Sequence, residues 1–108
     1  MMLPRRIQRS RRRGWKMPPN TVYVGRPTKW GNPFVPADLS DVMSNEDARL
    51  NCVLSFREAV RRADRVYIEF DPVDIQELRG KNLACWCPLH LPCHADVLLD
   101  LANPEEQL

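Results

Sequence analysis

The chain has 108 residues, of which 44% are hydrophobic, ten are proline and four are cysteine. That suffices for one domain that folds without a staple and is too short for a second core. No run of about 18 apolar residues exists, which excludes a membrane-spanning helix and makes a membrane an unexpected partner.

The formal net charge of +2 joins two unlike parts. Residues 1–20 carry seven basic side chains (Arg5, Arg6, Arg9, Arg11, Arg12, Arg13 and Lys16) and no acid, whereas residues 21–108 carry nine basic and 14 acidic ones. The expected organisation is therefore a basic N-terminal arm, 1–20, on a single mildly acidic α/β domain, 21–108. Two readings of the arm stand side by side. It is an electrostatic contact for phosphates, on nucleic acid or on a ligand, or an edge strand around Ile7 whose arginines discourage aggregation. No apolar stretch follows the arginines, so the arm does not read as a secretory leader. A cytoplasmic location is expected, with the cysteines as thiols, ligands or core residues.

In chain order, Thr21–Val24 is a β-branched and aromatic run that predicts a buried strand. The segment that follows, Gly25 to Phe34, is rich in proline and glycine, which makes a stiff loop of defined shape. Proline is then absent from Ala37 to Asp71. Ser44, with Asp47 three positions on, marks a helix start. Ala48, Cys52, Phe56, Ala59, Val60 and Ala63 follow helical spacing over about five turns. Arg65–Phe70 fits a short strand or a turn. Asp71-Pro72 predicts the cap and first residue of a short helix ending at Gly80. Lys81–Cys87 predicts a second buried strand, Pro88–Pro92 a tight loop, and Cys93 or His94 to Ala102 a last helix stopped by Asn103-Pro104. The expected fold is a small α/β sandwich of two or three strands and about three helices. If the strands run parallel, loops 25–34 and 87–94 share the rim at their carboxyl ends, where open α/β sheets bind ligands.

The segment Cys85–His94 holds three of the four cysteines and both histidines. Three accounts compete. Zn²⁺ could be held by Cys85, Cys87, Cys93 and His90, but spacing counts against it, because the sulfurs of Cys85 and Cys87 chelate only if the strand kinks. A reactive thiol or ligand pocket is the second, with Cys93 as nucleophile and His94 or His90 as base at a helix start. In the third, the cysteines are small core residues. On the other loop, Arg26 and Lys29 offer cations, Trp30 a stacking face and Asn32 edge hydrogen bonds, while Gly25 and Gly31 admit a ligand close to the backbone. Arg26 and Asn32 could equally fix the loop itself.

The run Gly25-Arg26-Pro27-Thr28-Lys29-Trp30-Gly31-Asn32-Pro33-Phe34 resembles the hallmark of a bacterial and phage domain family of unknown function. Leu78-Arg79-Gly80-Lys81-Asn82-Leu83-Ala84-Cys85-Trp86-Cys87, followed by Pro92-Cys93-His94-Ala95-Asp96-Val97-Leu98-Leu99, resembles it too. The resemblance implies a small domain frequent in phage genomes and carries no catalytic assignment.

Together these readings predict a protein that binds an anionic, nucleotide-derived small molecule between loops 25–34 and 87–94. Gly25, Arg26, Lys29, Trp30, Asn32, Cys87, His94 and Asp96 are its expected contacts. In a phage setting it would sequester a host signalling nucleotide. The alternatives are a thiol- or metal-assisted hydrolase or transferase on a similar substrate, and a nucleic-acid module using the basic arm.

Overall fold

A computed structural model describes residues 3–107 of the chain. Three short strands form one sheet: β1 (Arg6–Gln8), β2 (Thr21–Tyr23) and β3 (Asn82–Cys85). The order is β1-β3-β2, with both pairs parallel. Ile7 registers with Ala84, and Tyr23 with the same Ala84 across the other edge. Only β3 is central. Its Leu83, Ala84 and Cys85 are buried, while Thr21, Val22 and Tyr23 are half-buried at an edge. The expectation of two equally buried strands therefore holds only for β3. The last expected strand residues, Trp86 and Cys87, lie beyond it, where the chain bends.

Two α-helices follow the predicted stripes. In α1 (Asn45–Arg61), Ser44 accepts a hydrogen bond from the Asp47 N–H, and Ala48, Cys52, Phe56, Ala59 and Val60 are buried. Ala63 leaves the stripe: it adopts φ 52°, an unusual left-handed conformation for alanine, beyond the helix end. Ser44→Ala is expected to lower stability by about 1 kcal/mol in urea denaturation, by removing this cap. Arg65–Phe70 is a turn that buries Ile68 and Phe70. Asp71 caps Pro72–Leu78 by accepting from the Val73 N–H, but the segment is a 3-10 helix. α2 runs from His94 to Ala102 with Cys93 as its N-cap.

Side-chain alternation puts Val22, Leu83 and Cys85 on the sheet face that carries the main core. Phe56 of α1, Val97 and Leu98 of α2, and Ile75 and Leu78 of the 3-10 helix complete that core. The fold is a small α/β domain with a parallel sheet, as its sequence pattern predicts. No described helix is long and apolar enough to cross a membrane.

Candidate functional site

Because β2 and β3 are parallel, the chain leaves both at the same rim. Loops 25–34 and 87–94 meet there around a cavity of about 310 Å³. Helix α1 closes the third side with Arg49, Cys52 and Val53. All four cysteines line this one cavity.

The first loop is held from within. The Thr28 N–H donates to Gly25 O at 3.0 Å and the Gly31 N–H to Thr28 O at 3.0 Å. The Arg26 Nε donates to Asn32 O at 2.8 Å, and its Nη2 reaches Asn32 O and Phe34 O. Asn32 spends its amide on the scaffold: Nδ2 donates to Cys52 O at 3.1 Å, and Oδ1 accepts from the Phe34 N–H at 2.9 Å. Of the two glycines expected to admit a ligand, Gly25 lines the cavity and Gly31 does not, and both are needed for packing. A Cβ at Gly25 would overlap the Tyr23 ring, and one at Gly31 would lie 3.0–3.3 Å from Arg26.

Lys29, Trp30 and Asp96 do not line the cavity. Trp30 is only 5% exposed and packs on Phe70, ring centroids 4.8 Å apart, so its face is not open for stacking. Lys29 faces Glu77 at 3.5 Å and Asp74 at 4.0 Å. Asp96 accepts from Arg6 at 2.8 Å and from the Cys93 N–H at 3.1 Å, closing the start of α2. These three were expected as contacts for their chemistry: Lys29 as a cation, Trp30 as a stacking face and Asp96 as an acceptor near the start of the last helix. The loop turns Trp30 inward, as its large apolar surface dictates, and charge pairs claim the other two.

The second loop bends after Cys85, and the bend gathers sulfur. The Sγ atoms of Cys85, Cys87 and Cys93 all lie within 4.8 Å of one another, with Cys93 and Cys85 at 3.3 Å. Hydrogen bonds from the Cys85 and Cys93 thiols, then the Arg49 guanidinium, hold Cys87 well below the usual thiol range. Cys85 is pushed up chiefly by its hydrogen bond to Cys87, and Cys93 by its hydrogen bonds to Cys85 and Cys87. The bias toward a thiolate is thus greatest at Cys87, the half-buried member. Cys93, the expected nucleophile, is 2% exposed and has little access to a substrate. Cys52 lies deeper along α1, and burial raises its pKa.

His94 is also buried. Its ring nitrogen Nε2 lies 2.8 Å from Val24 O, and a carbonyl only accepts, so Nε2 carries the proton. Nδ1 is then the acceptor, 3.5 Å from Cys93 Sγ. Burial depresses the His94 pKa and keeps the ring neutral. The ring locks the end of β2 to the start of α2. His90 is exposed, away from the thiols that it was expected to join as a ligand.

The basic arm reaches this rim. The Arg9 guanidinium lies 4.4 Å from the Tyr23 ring centroid and 4.6 Å from that of Trp86; Arg11 lies 4.9 Å from Trp86. Both rings line the cavity. Sequence reading passed over Tyr23, Trp86 and Arg49. For Arg49 a signal existed: it precedes Cys52 and Val53 by three and four positions and so shares their helix face.

A family model described as a domain of unknown function, DUF4326, matches residues 7–104. The chain belongs to the DUF4326 family. The match begins inside β1, so the DUF4326 unit takes in most of the arm as well as the body. Comparison with curated proteins and with solved structures returned no match. What the DUF4326 domain binds has to be argued from the cavity.

Proposed function

We propose that the protein binds a small anionic, nucleotide-derived molecule in the cavity between loops 25–34 and 87–94. One observation carries this reading. Arg26 and Arg49 line the cavity, and among the described residues no carboxylate is paired with either. Cations that no carboxylate neutralises, set in a concave site, favour an anion. The remaining walls include the Tyr23, Phe34 and Trp86 rings, which suit a planar base. The Arg9 and Arg11 cations behind Trp86 add to the positive field. The volume, about 310 Å³, matches a ligand of mononucleotide size and excludes a long chain. In this reading the protein works in the cytoplasm, and a phage-borne copy would sequester a host signalling nucleotide.

The test is thermal denaturation against a panel of mononucleotides, nucleoside diphosphates and cyclic dinucleotides. A ligand at about 100 times its Kd should add about 2.7 kcal/mol of stability. Arg49→Ala should abolish that gain while leaving the unliganded melting temperature within about two degrees, because a half-exposed arginine contributes little to folding. If no member of the panel stabilises the wild type, the reading falls.

A further inference from the structure

We propose that Cys85, Cys87 and Cys93 form a three-sulfur site for a thiophilic divalent cation of the Zn²⁺ class, with its fourth coordination position open to the cavity. The proposal goes beyond nucleotide binding and does not depend on it.

Geometry is the first argument. Tetrahedral Zn²⁺ with Zn–S bonds of about 2.3 Å needs sulfurs about 3.8 Å apart. The three Sγ atoms lie within 4.8 Å of one another, with Cys93 and Cys85 at 3.3 Å, so the required spacing is close to what the fold already provides. Changes of up to about 1 Å in the sulfur–sulfur separations, within reach of side-chain rotation, bring all three to one centre.

Local structure supplies the second argument. In a continued strand, Cys85 and Cys87 would stand roughly 6.6 Å apart along the chain. The strand ends at Cys85 instead, and the bend through Trp86 and Cys87 folds the second sulfur back over the first. The third sulfur comes from the N-cap of α2, a frame fixed by Asp96 bonding the Cys93 N–H and by the buried Arg6 bonding Asp96. Rigid elements on three sides thus hold the donors in place, which a metal site requires.

The donor set argues for the cation's class. Thiolates select soft or borderline metals over Mg²⁺ and Ca²⁺. Among the described residues no other His, Cys, Asp or Glu donor joins the three sulfurs within 4.8 Å. His94 Nδ1 approaches Cys93 alone. The fourth position therefore belongs to water or to an atom of a cavity ligand, the pattern of an open rather than a closed zinc site. Three thiolates on a divalent cation leave a net charge of about −1, and Arg26 and Arg49 on the same cavity offset it.

The experiment uses the full chain, reduced and without nucleotide. Metal content by mass spectrometry should give one zinc per chain. Replacement by Co²⁺ should give sulfur-to-cobalt charge-transfer absorption and the intense visible bands of tetrahedral cobalt. Cys87→Ser, at the half-buried corner, should stay folded by circular dichroism and bind roughly 100-fold more weakly or worse. If that variant does not fold, the wild-type stoichiometry and cobalt spectrum decide. The proposal is overturned by a folded protein whose thiols stay metal-free in excess zinc, by a Cys85–Cys93 disulfide in the isolated protein, or by an unchanged cobalt spectrum in folded Cys87→Ser. Because nucleotide is absent throughout, failure here leaves the nucleotide reading standing, and failure of the nucleotide panel leaves this one standing.

Discussion

Trp30→Ala is expected to destabilise the fold by about 3–5 kcal/mol, the usual loss for an aromatic removed from a close-packed core. Trp30 sits in a proline-rich loop, where an aromatic beside two cations suggests a ligand platform. Its ring is instead buried against Phe70, in a cluster that includes Phe56 and Ile75. Removing it opens a large cavity that rigid neighbours, helix α1 and the Ile68–Phe70 turn, cannot fill. Against the 5–15 kcal/mol of an ordinary small domain, that loss is a large share. Urea denaturation checks it: the midpoint should fall steeply. A variant of unchanged stability would place the ring outside the core.

Arg6→Ala should have the next largest effect, about 2–3 kcal/mol. The Arg6 side chain is only 7% exposed, and its guanidinium spans three acceptors. Nη1 donates to Asp96 at 2.8 Å, while Nη2 donates to Pro88 O at 2.8 Å and Leu91 O at 2.7 Å. One side chain thus ties β1 to the cysteine loop and to the first turn of α2. Its loss takes a donor from each of two carbonyls, leaving Pro88 O with the Leu91 N–H alone, and removes the cation from Asp96. The figure stays below that for a fully buried pair because Asp96 is half-exposed and water can reach it. Arg6→Lys should restore little, since one ammonium cannot reproduce the planar fork. The readout is again urea denaturation, with amide exchange across residues 87–94 expected to speed up more than across α1.

These two residues show what the sequence could and could not convey. Periodicity and caps made the elements readable. Ser44, Asp71-Pro72 and the stripe from Ala48 to Val60 act within a few residues of themselves, and each stands where local chemistry puts it. The shared rim was readable too, because parallel strands with unusual loops at their ends leave few arrangements. Decisions made by distant partners were not readable. Trp30 turns inward because α1 and Phe70 offer it a core. Arg49 faces the cavity because α1 crosses the rim. The three sulfurs meet because Arg6, more than 80 positions away, holds the Pro88 and Leu91 carbonyls of the bent loop. Spacing alone argued against such a cluster, and spacing is blind to a bend imposed from outside.

The strand order carries a consequence for how the chain folds. β1 and β2 never touch; each pairs only with β3, which lies between them in space and after both in sequence. The hydrogen bond from the Arg5 N–H to Asn82 already spans 77 positions. No part of the sheet can form until β3 has been synthesised and has found both partners, so folding waits on two long loop closures rather than growing from a hairpin. During synthesis, β1 and β2 leave the ribosome before the one strand that each pairs with has been made.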